Sequence, residues 1–213
     1  MAAAMKRCVI WAGSPVSRRM LDLLRPDDYI LAADGGWQNA ARLGVEPNWV
    51  LGDFDSSPRP AGENVTVLPA EKDDTDTHYA TRVALERGFS RILYLGALGG
   101  KRLDHTLAAL QTALYAAKQG AEVTLADENC EIRVLLGGQS VRLEPRPGWY
   151  LSLLAMGGPV DGVYERGVKY PLENASLTPD FPLGVSNEFT SQPAEIGIAG
   201  GSALLLLVRS DHI

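Results

Sequence analysis

Residues 29–56 read YILAADGGWQNAARLGVEPNWVLGDFDS, and this stretch decides the fold. Residues 29–33 form an apolar run that stops at Asp34-Gly35-Gly36, as a buried strand does when it reaches a loop. Residues 37–43 fit one short helix, ended by Gly44. Residues 48–51 are again apolar and lead into Gly52-Asp53-Phe54-Asp55-Ser56. Strand, helix and strand within 28 residues predict two parallel strands joined by a helical crossover.

The same alternation extends on both sides. Residues 7–12 read as a buried strand, and Ser17 is placed to cap a helix carrying Met20, Leu21 and Leu24. After a turn-rich stretch at 57–64 come a strand at 65–68, a helix from Thr75 or Asp76 to Gly88, and a strand at 92–95. Residues 102–118 give the strongest helical pattern, with Leu103, Leu107, Leu110 and Leu114 on one face that predicts a core contact. A strand at 123–125 follows. The fold class expected is α/β, a parallel sheet covered by helices. In such sheets ligands collect at the carboxyl ends of the strands. Beyond about residue 129 the helical period disappears. Short strand candidates at 132–136, 140–143, 150–154, 162–164, 195–198 and 204–208 predict an antiparallel β domain, a barrel or sandwich, with the boundary near 128–138.

The chain has 213 residues, 46% of them hydrophobic and 22% charged, which suits a folded, core-forming protein. Twenty basic against 26 acidic side chains give a net charge of -6. The basic pairs Lys6-Arg7, Arg18-Arg19 and Lys101-Arg102 are isolated, so no nucleic-acid partner is expected. Residues 1–7 have no apolar stretch resembling a secretory signal, and 204–208 is too short to span a bilayer. Cys8 and Cys130 read as unbridged thiols of a reducing compartment. The expectation is a soluble, cytoplasmic protein with no membrane partner.

The chemistry lies in the aspartates. Asp53 and Asp55 follow one strand, Asp73, Asp74 and Asp76 open a helix, and Asp34 and Asp104 stand beside glycines or a helix start. Any single helix-start aspartate is adequately explained as a cap. Their recurrence at separate strand ends is not, because gathered carboxylates repel one another unless a cation relieves them. If the chain turns after Gly52, Asp53 and Asp55 can reach one cation. Gly96-Ala-Leu-Gly-Gly-Lys-Arg102 offers a glycine loop before a helix start, suited to an anion, but it is neither a Walker loop nor a dinucleotide fingerprint. His78, His105 and His212 are scattered and form no zinc motif, and His78 reads as a surface or capping residue. The four tryptophans read as core or rim residues.

Six segments taken in order resemble the thiamine pyrophosphokinase (thiamin diphosphokinase) family. They are Ala33-Asp-Gly-Gly36, Leu51-Gly-Asp-Phe-Asp-Ser56, Glu71-Lys-Asp-Asp-Thr-Asp76, Gly99-Gly-Lys-Arg-Leu-Asp-His105, Gly167-Val-Lys-Tyr-Pro-Leu172 and Leu183-Gly-Val-Ser-Asn-Glu-Phe189. The resemblance implies an α/β ATP-binding catalytic domain at 1–130 and a C-terminal β-sandwich thiamine-binding domain at 131–213. It implies magnesium-dependent transfer of a diphosphoryl group from ATP to the hydroxyethyl oxygen of thiamine, giving thiamine diphosphate and AMP. It also implies a homodimer with active sites between subunits. Carried onto this chain, Asp53, Asp55 and Asp76 are the catalytic, Mg2+-holding residues. Asp34, Gly35, Asp73, Asp74, Thr75, Arg102 and Asp104 lie with ATP, and Ser186 and Asn187 lie with thiamine. Two departures stand out. Lys101 and Arg102 are adjacent, with Arg102 keeping the spacing to Asp104. The last strand has no tryptophan to stack on thiamine, and no residue is assigned as general base. The competing readings are a pyrophosphokinase for a related acceptor such as a pterin, and a non-catalytic nucleotide- or thiamine-binding module.

Overall fold

The computed structural model describes residues 7–55, 58–71 and 73–210. Lys6, Ser56, Lys72 and His212, and the residues read for a leader before Arg7, lie outside them. The chain divides into two compact units, Met1–Glu128 and Asn129–Ile213.

In the first unit the elements are β1 (Arg7–Trp11), a 3-10 helix (Arg18–Leu23), β2 (Tyr29–Ala33), α1 (Gly36–Arg42), β3 (Trp49–Gly52), β4 (Val65–Val67), α2 (Asp76–Glu86), β5 (Arg91–Leu95), α3 (Leu103–Lys118) and β6 (Glu122–Ala126). The strands are all parallel, in the order β6-β5-β1-β2-β3-β4. The chain runs outward from β1 through β4 and then returns to β5 on the other side of β1. The topological switch therefore lies between β1 and β5, where a parallel sheet opens a crevice at its carboxyl edge.

Alternate side chains of β5 go to opposite faces. Leu93 and Leu95 pack with Met20 of the 3-10 helix and Ala40 of α1. Tyr94, between them, meets Thr81 of α2 through a 2.8 Å hydroxyl–hydroxyl hydrogen bond. Helices thus cover both faces, which is why β1 and β5, after an opening arginine each, are buried at every position rather than at alternate ones.

Three expectations from the pattern are corrected. The helix after Ser17 is a 3-10 helix, and Ser17 makes no side-chain cap bond. The segment holds only six residues, too few to gain much from α-helical propagation. On α3 the helical period is right but the buried face is not the leucine face. Ala109, Thr112, Ala113, Ala116 and Ala117 are buried. Leu110 and Leu114 are half-buried, and Leu103 and Leu107 are 69% and 54% exposed. Small residues let α3 approach α2 and β6 closely, and that leaves the leucines on the outer flank. His78 also differs from a simple surface position. Its ring packs 4.7 Å from that of Tyr115, and Nδ1 lies 3.2 Å from Thr112 Oγ1, so it joins α2 to α3.

The second unit has β7 (Cys130–Leu136), β8 (Ser140–Leu143), β9 (Trp149–Ala155), β10 (Val160–Arg166), β11 (Leu172–Leu177), β12 (Asn187–Glu188), β13 (Ala194–Gly197) and β14 (Ser202–Arg209). Its antiparallel strands lie in the orders β12-β9-β14-β7 and β11-β10-β13-β8. Inward residues of both sets share one core. Leu135, Leu151, Leu153 and Leu205 from the first meet Leu143, Val163, Leu177 and Ile196 from the second. This is a β-sandwich. β11 and β12 were absent from the pattern read above.

Candidate active site

The register between β2 and β3 builds the acidic site. Ala33 pairs with Leu51, so the next residues, Asp34 and Gly52, leave the sheet edge side by side. The Asp34 N–H donates to Leu51 O at 2.8 Å, and Asp34 adopts a left-handed φ of 43°. A Cβ on Gly52 would come within 2.9 Å of Asp34 Cα, so only glycine admits this approach. Gly52 therefore serves close packing and not the turn. The left-handed turn falls on Phe54, at φ 55°.

α2 arrives from the other side. Thr75 is its N-cap, its hydroxyl accepting from the His78 N–H at 3.1 Å, and this sets Asp76 in the first turn. One carboxylate oxygen each from Asp34, Asp53 and Asp76 then lie within 4.8 Å of one another, all three side chains half-buried. Three convergent hard oxygen donors fit a magnesium ion.

The structure therefore brings together Asp53 and Asp76 from the catalytic set read in the sequence, and adds Asp34, which the resemblance places with the nucleotide. Asp55 is exposed and stands outside that group, and its backbone N–H donates to Asp53 Oδ1 at 3.3 Å. Gly35 follows as the N-cap position of α1. Asp73 is exposed, and Asp74 is held by Arg82 at 2.7 Å. Arg102 and Asp104 open α3 as a solvent-exposed bidentate pair, with contacts of 2.9 and 2.6 Å. The guanidinium holds the Asp104 carboxyl down to about 2.

The loop after β1 went unnoticed in the sequence, yet it lies at the switch point. Its Ser14 is tied to the glycine loop after β5: the Ser14 N–H donates to Gly96 O at 2.7 Å and its hydroxyl to Gly99 O at 3.1 Å. Asn39 of α1 fixes it from below, donating to Ala12 O and Ser14 O. Only the strand order reveals this pairing.

In the sandwich, segments 167–170 and 184–189 lie together. The Lys169 N–H donates to Glu188 O at 3.0 Å, and Val168 bridges Phe189. Ser186 is exposed with a left-handed φ of 62°, and its N–H donates to Ser152 Oγ at 2.9 Å. Asn187 is only 5% exposed. Its amide donates to Glu165 Oε2 at 2.7 Å and Tyr170 O at 2.8 Å, while its oxygen accepts from the N–H groups of Tyr170 and Glu188. All of its hydrogen-bonding capacity is engaged within the protein, so it organises the segment. Glu165 is wholly buried, and burial raises its pKa against the opposing hydrogen bond from Asn187.

Residues 20–125 match the family description "Thiamin pyrophosphokinase, catalytic domain", and residues 139–202 match "Thiamin pyrophosphokinase, vitamin B1 binding domain". The chain is 28% identical over 187 residues to a Bacillus subtilis protein named thiamine pyrophosphokinase, covering 84% of this chain and 86% of that one. A solved thiamine pyrophosphokinase structure from Bacillus subtilis superposes with a TM-score of 0.84 at 26% identity, over 97% of this chain and 100% of the other. A Geobacillus thermodenitrificans thiamin pyrophosphokinase gives 0.83 at 25% identity, over 97% and 99%. No helix among the described residues is long and apolar enough to cross a membrane. The two domain matches together cover most of the chain, and with the shared fold they establish that it belongs to the thiamin pyrophosphokinase family and is an enzyme.

Proposed function

We propose that this enzyme transfers the diphosphoryl group of ATP to the hydroxyethyl oxygen of thiamine, releasing AMP, with magnesium as cofactor. The observation that carries the reading is the convergence of Asp34, Asp53 and Asp76 at the carboxyl edge of the sheet. These carboxylates would hold magnesium. Magnesium would neutralise polyphosphate charge and support the charge that develops during phosphoryl transfer.

Asp53, Asp55 and Asp76 form the proposed catalytic set, with Asp34 added as a third carboxylate on the cation. Asp55 contributes through its backbone N–H, which orients the Asp53 carboxylate. Gly35, Asp73, Asp74 and Thr75 frame the nucleotide. Asp74 and Thr75 do so from a loop fixed by Arg82 and by the cap of α2. Arg102 spends Nε and Nη2 on Asp104 and keeps Nη1 for a phosphate oxygen, giving cationic support to the AMP leaving group. Ser186, on its strained left-handed backbone, contacts thiamine, and Asn187 holds it in place. The family description of residues 139–202 supports thiamine as acceptor. We further propose a cytoplasmic homodimer, which sedimentation at twice the mass of one chain would support.

Product analysis tests the reading. Purified protein with ATP, magnesium and thiamine should yield thiamine diphosphate and AMP in equal amounts. Thiamine monophosphate with ADP, or AMP release with a pterin acceptor and none with thiamine, would refute it.

A further inference from the structure

If Ser186 contacts thiamine, as the proposed function has it, its left-handed φ of 62° must be held by its surroundings, because a serine rarely adopts that backbone unaided. The sheet gives little help. β12, which follows at once, is two residues long, lies at the edge of its sheet and pairs with β9. We propose that Glu165 is a positioning residue for the acceptor: through Asn187 it ties the Ser186 segment to the opposite sheet of the sandwich. Glu165 lies on β10, and β10 and β12 belong to different sheets. It is wholly buried, as is Val163 two residues before it, whereas Arg166 is exposed. Taking a carboxyl group out of water is costly, and an apolar residue would suit this core at least as well. What the carboxyl supplies is one bond. Its Oε2 accepts from Asn187 Nδ2 at 2.7 Å, and its Oε1 has no hydrogen-bond partner among the described residues.

That bond completes the Asn187 clasp. The Asn187 oxygen accepts from the N–H groups of Tyr170 and Glu188 at 3.0 and 2.9 Å, and its amide donates to Tyr170 O at 2.8 Å. One amide proton is left, and Glu165 takes it. Without an acceptor there, a buried N–H would go unsatisfied, and the side chain would turn from the clasp to relieve it. Ser186 stands one residue before this clasp, and its own N–H is held by the buried Ser152 Oγ at 2.9 Å. The left-handed residue is thus pinned on both sides, by Ser152 at its own N–H and by Asn187 after it. Glu165 keeps the second pin closed.

The test is thiamine binding by calorimetry with steady-state kinetics on the intact protein, and melting curves to verify folding. Glu165→Gln keeps an oxygen within reach of the Asn187 amide, and its KM for thiamine should stay within about twofold of wild type. Glu165→Leu suits the core but removes the acceptor, and should raise the Kd and KM for thiamine about tenfold, with kcat and the KM for ATP little changed. Glu165→Asp keeps the charge but draws the acceptor back by a methylene. It should weaken thiamine binding as leucine does, and it carries the test if the leucine variant does not fold. Thiamine affinity should therefore follow the reach of the acceptor, not its charge or the melting temperature. A folded leucine or aspartate variant that binds thiamine as wild type does, or that loses kcat with the KM for thiamine unchanged, overturns the positioning role and leaves the proposed function standing. A wild-type protein that binds no thiamine overturns both.

Discussion

Gly52→Ala puts the packing that creates the acidic site under direct strain. The added methyl would lie 2.9 Å from Asp34 Cα and 3.1 Å from Asp34 N, both backbone atoms. Carbon–carbon contacts are comfortable at about 3.5–4.0 Å, so the ends of β2 and β3 must part by roughly 0.6–1 Å. Overpacking of this kind costs about 1–3 kcal/mol of stability, which leaves most domains folded. The larger effect falls on the site. Asp34 carries one of three carboxylates that meet within 4.8 Å, and a displacement near 1 Å in such a constellation lowers turnover by about 100-fold. The assay is AMP release across a magnesium titration, with circular dichroism and a melting curve to verify folding. Gly200→Ala is the control, since its methyl would meet no atom within 4 Å and it stands in the second unit. Wild-type turnover at every magnesium concentration in a folded Gly52→Ala protein would refute the reasoning.

Thr75→Ala removes the α2 N-cap and should lower stability by about 1 kcal/mol, measured by urea unfolding. Leu107→Lys, on the exposed flank of α3, should change stability by no more than about 0.5 kcal/mol. Ala113→Leu, on the buried face of the same helix, should cost about 1–3 kcal/mol, and thermal melts of the pair decide which face is core. Glu165→Gln should remove a pH dependence of stability. Its folded pKa is raised by burial, so the folded state binds the proton more tightly than the unfolded chain. That contribution is complete below the ordinary carboxyl value of 4.5 and is lost as pH rises through the folded pKa. The variant should therefore gain stability over wild type at pH 8 and not at pH 4, read from denaturation midpoints.

The parallel half was legible because its strands are unbroken apolar runs ended by glycine, as at 29–36. The misreading of α3 has a specific origin. Alanines at 109, 113 and 116 follow helical spacing as the leucines do, and hydrophobicity ranks leucine higher while close helix packing favours the smaller residue. β11 reads Leu-Glu-Asn-Ala-Ser-Leu, with little alternation to mark it, and β12 is two residues long. The closeness of Asp34 to Asp53 follows from β2 lying beside β3, and the local pattern carries no strand order. Glu165 sits in a strand ending Tyr-Glu-Arg that reads as surface. Its burial follows from the Asn187 amide, 22 residues along the chain.

The central claim is that aspartates distant in sequence converge on a cation that carries polyphosphate. A crystal structure with magnesium and a nonhydrolysable ATP analogue tests it most directly. The account predicts the cation bound between Asp34, Asp53 and Asp76 and touching the phosphate chain. A cation and nucleotide bound elsewhere, with those three carboxylates making no contact to either, would contradict it.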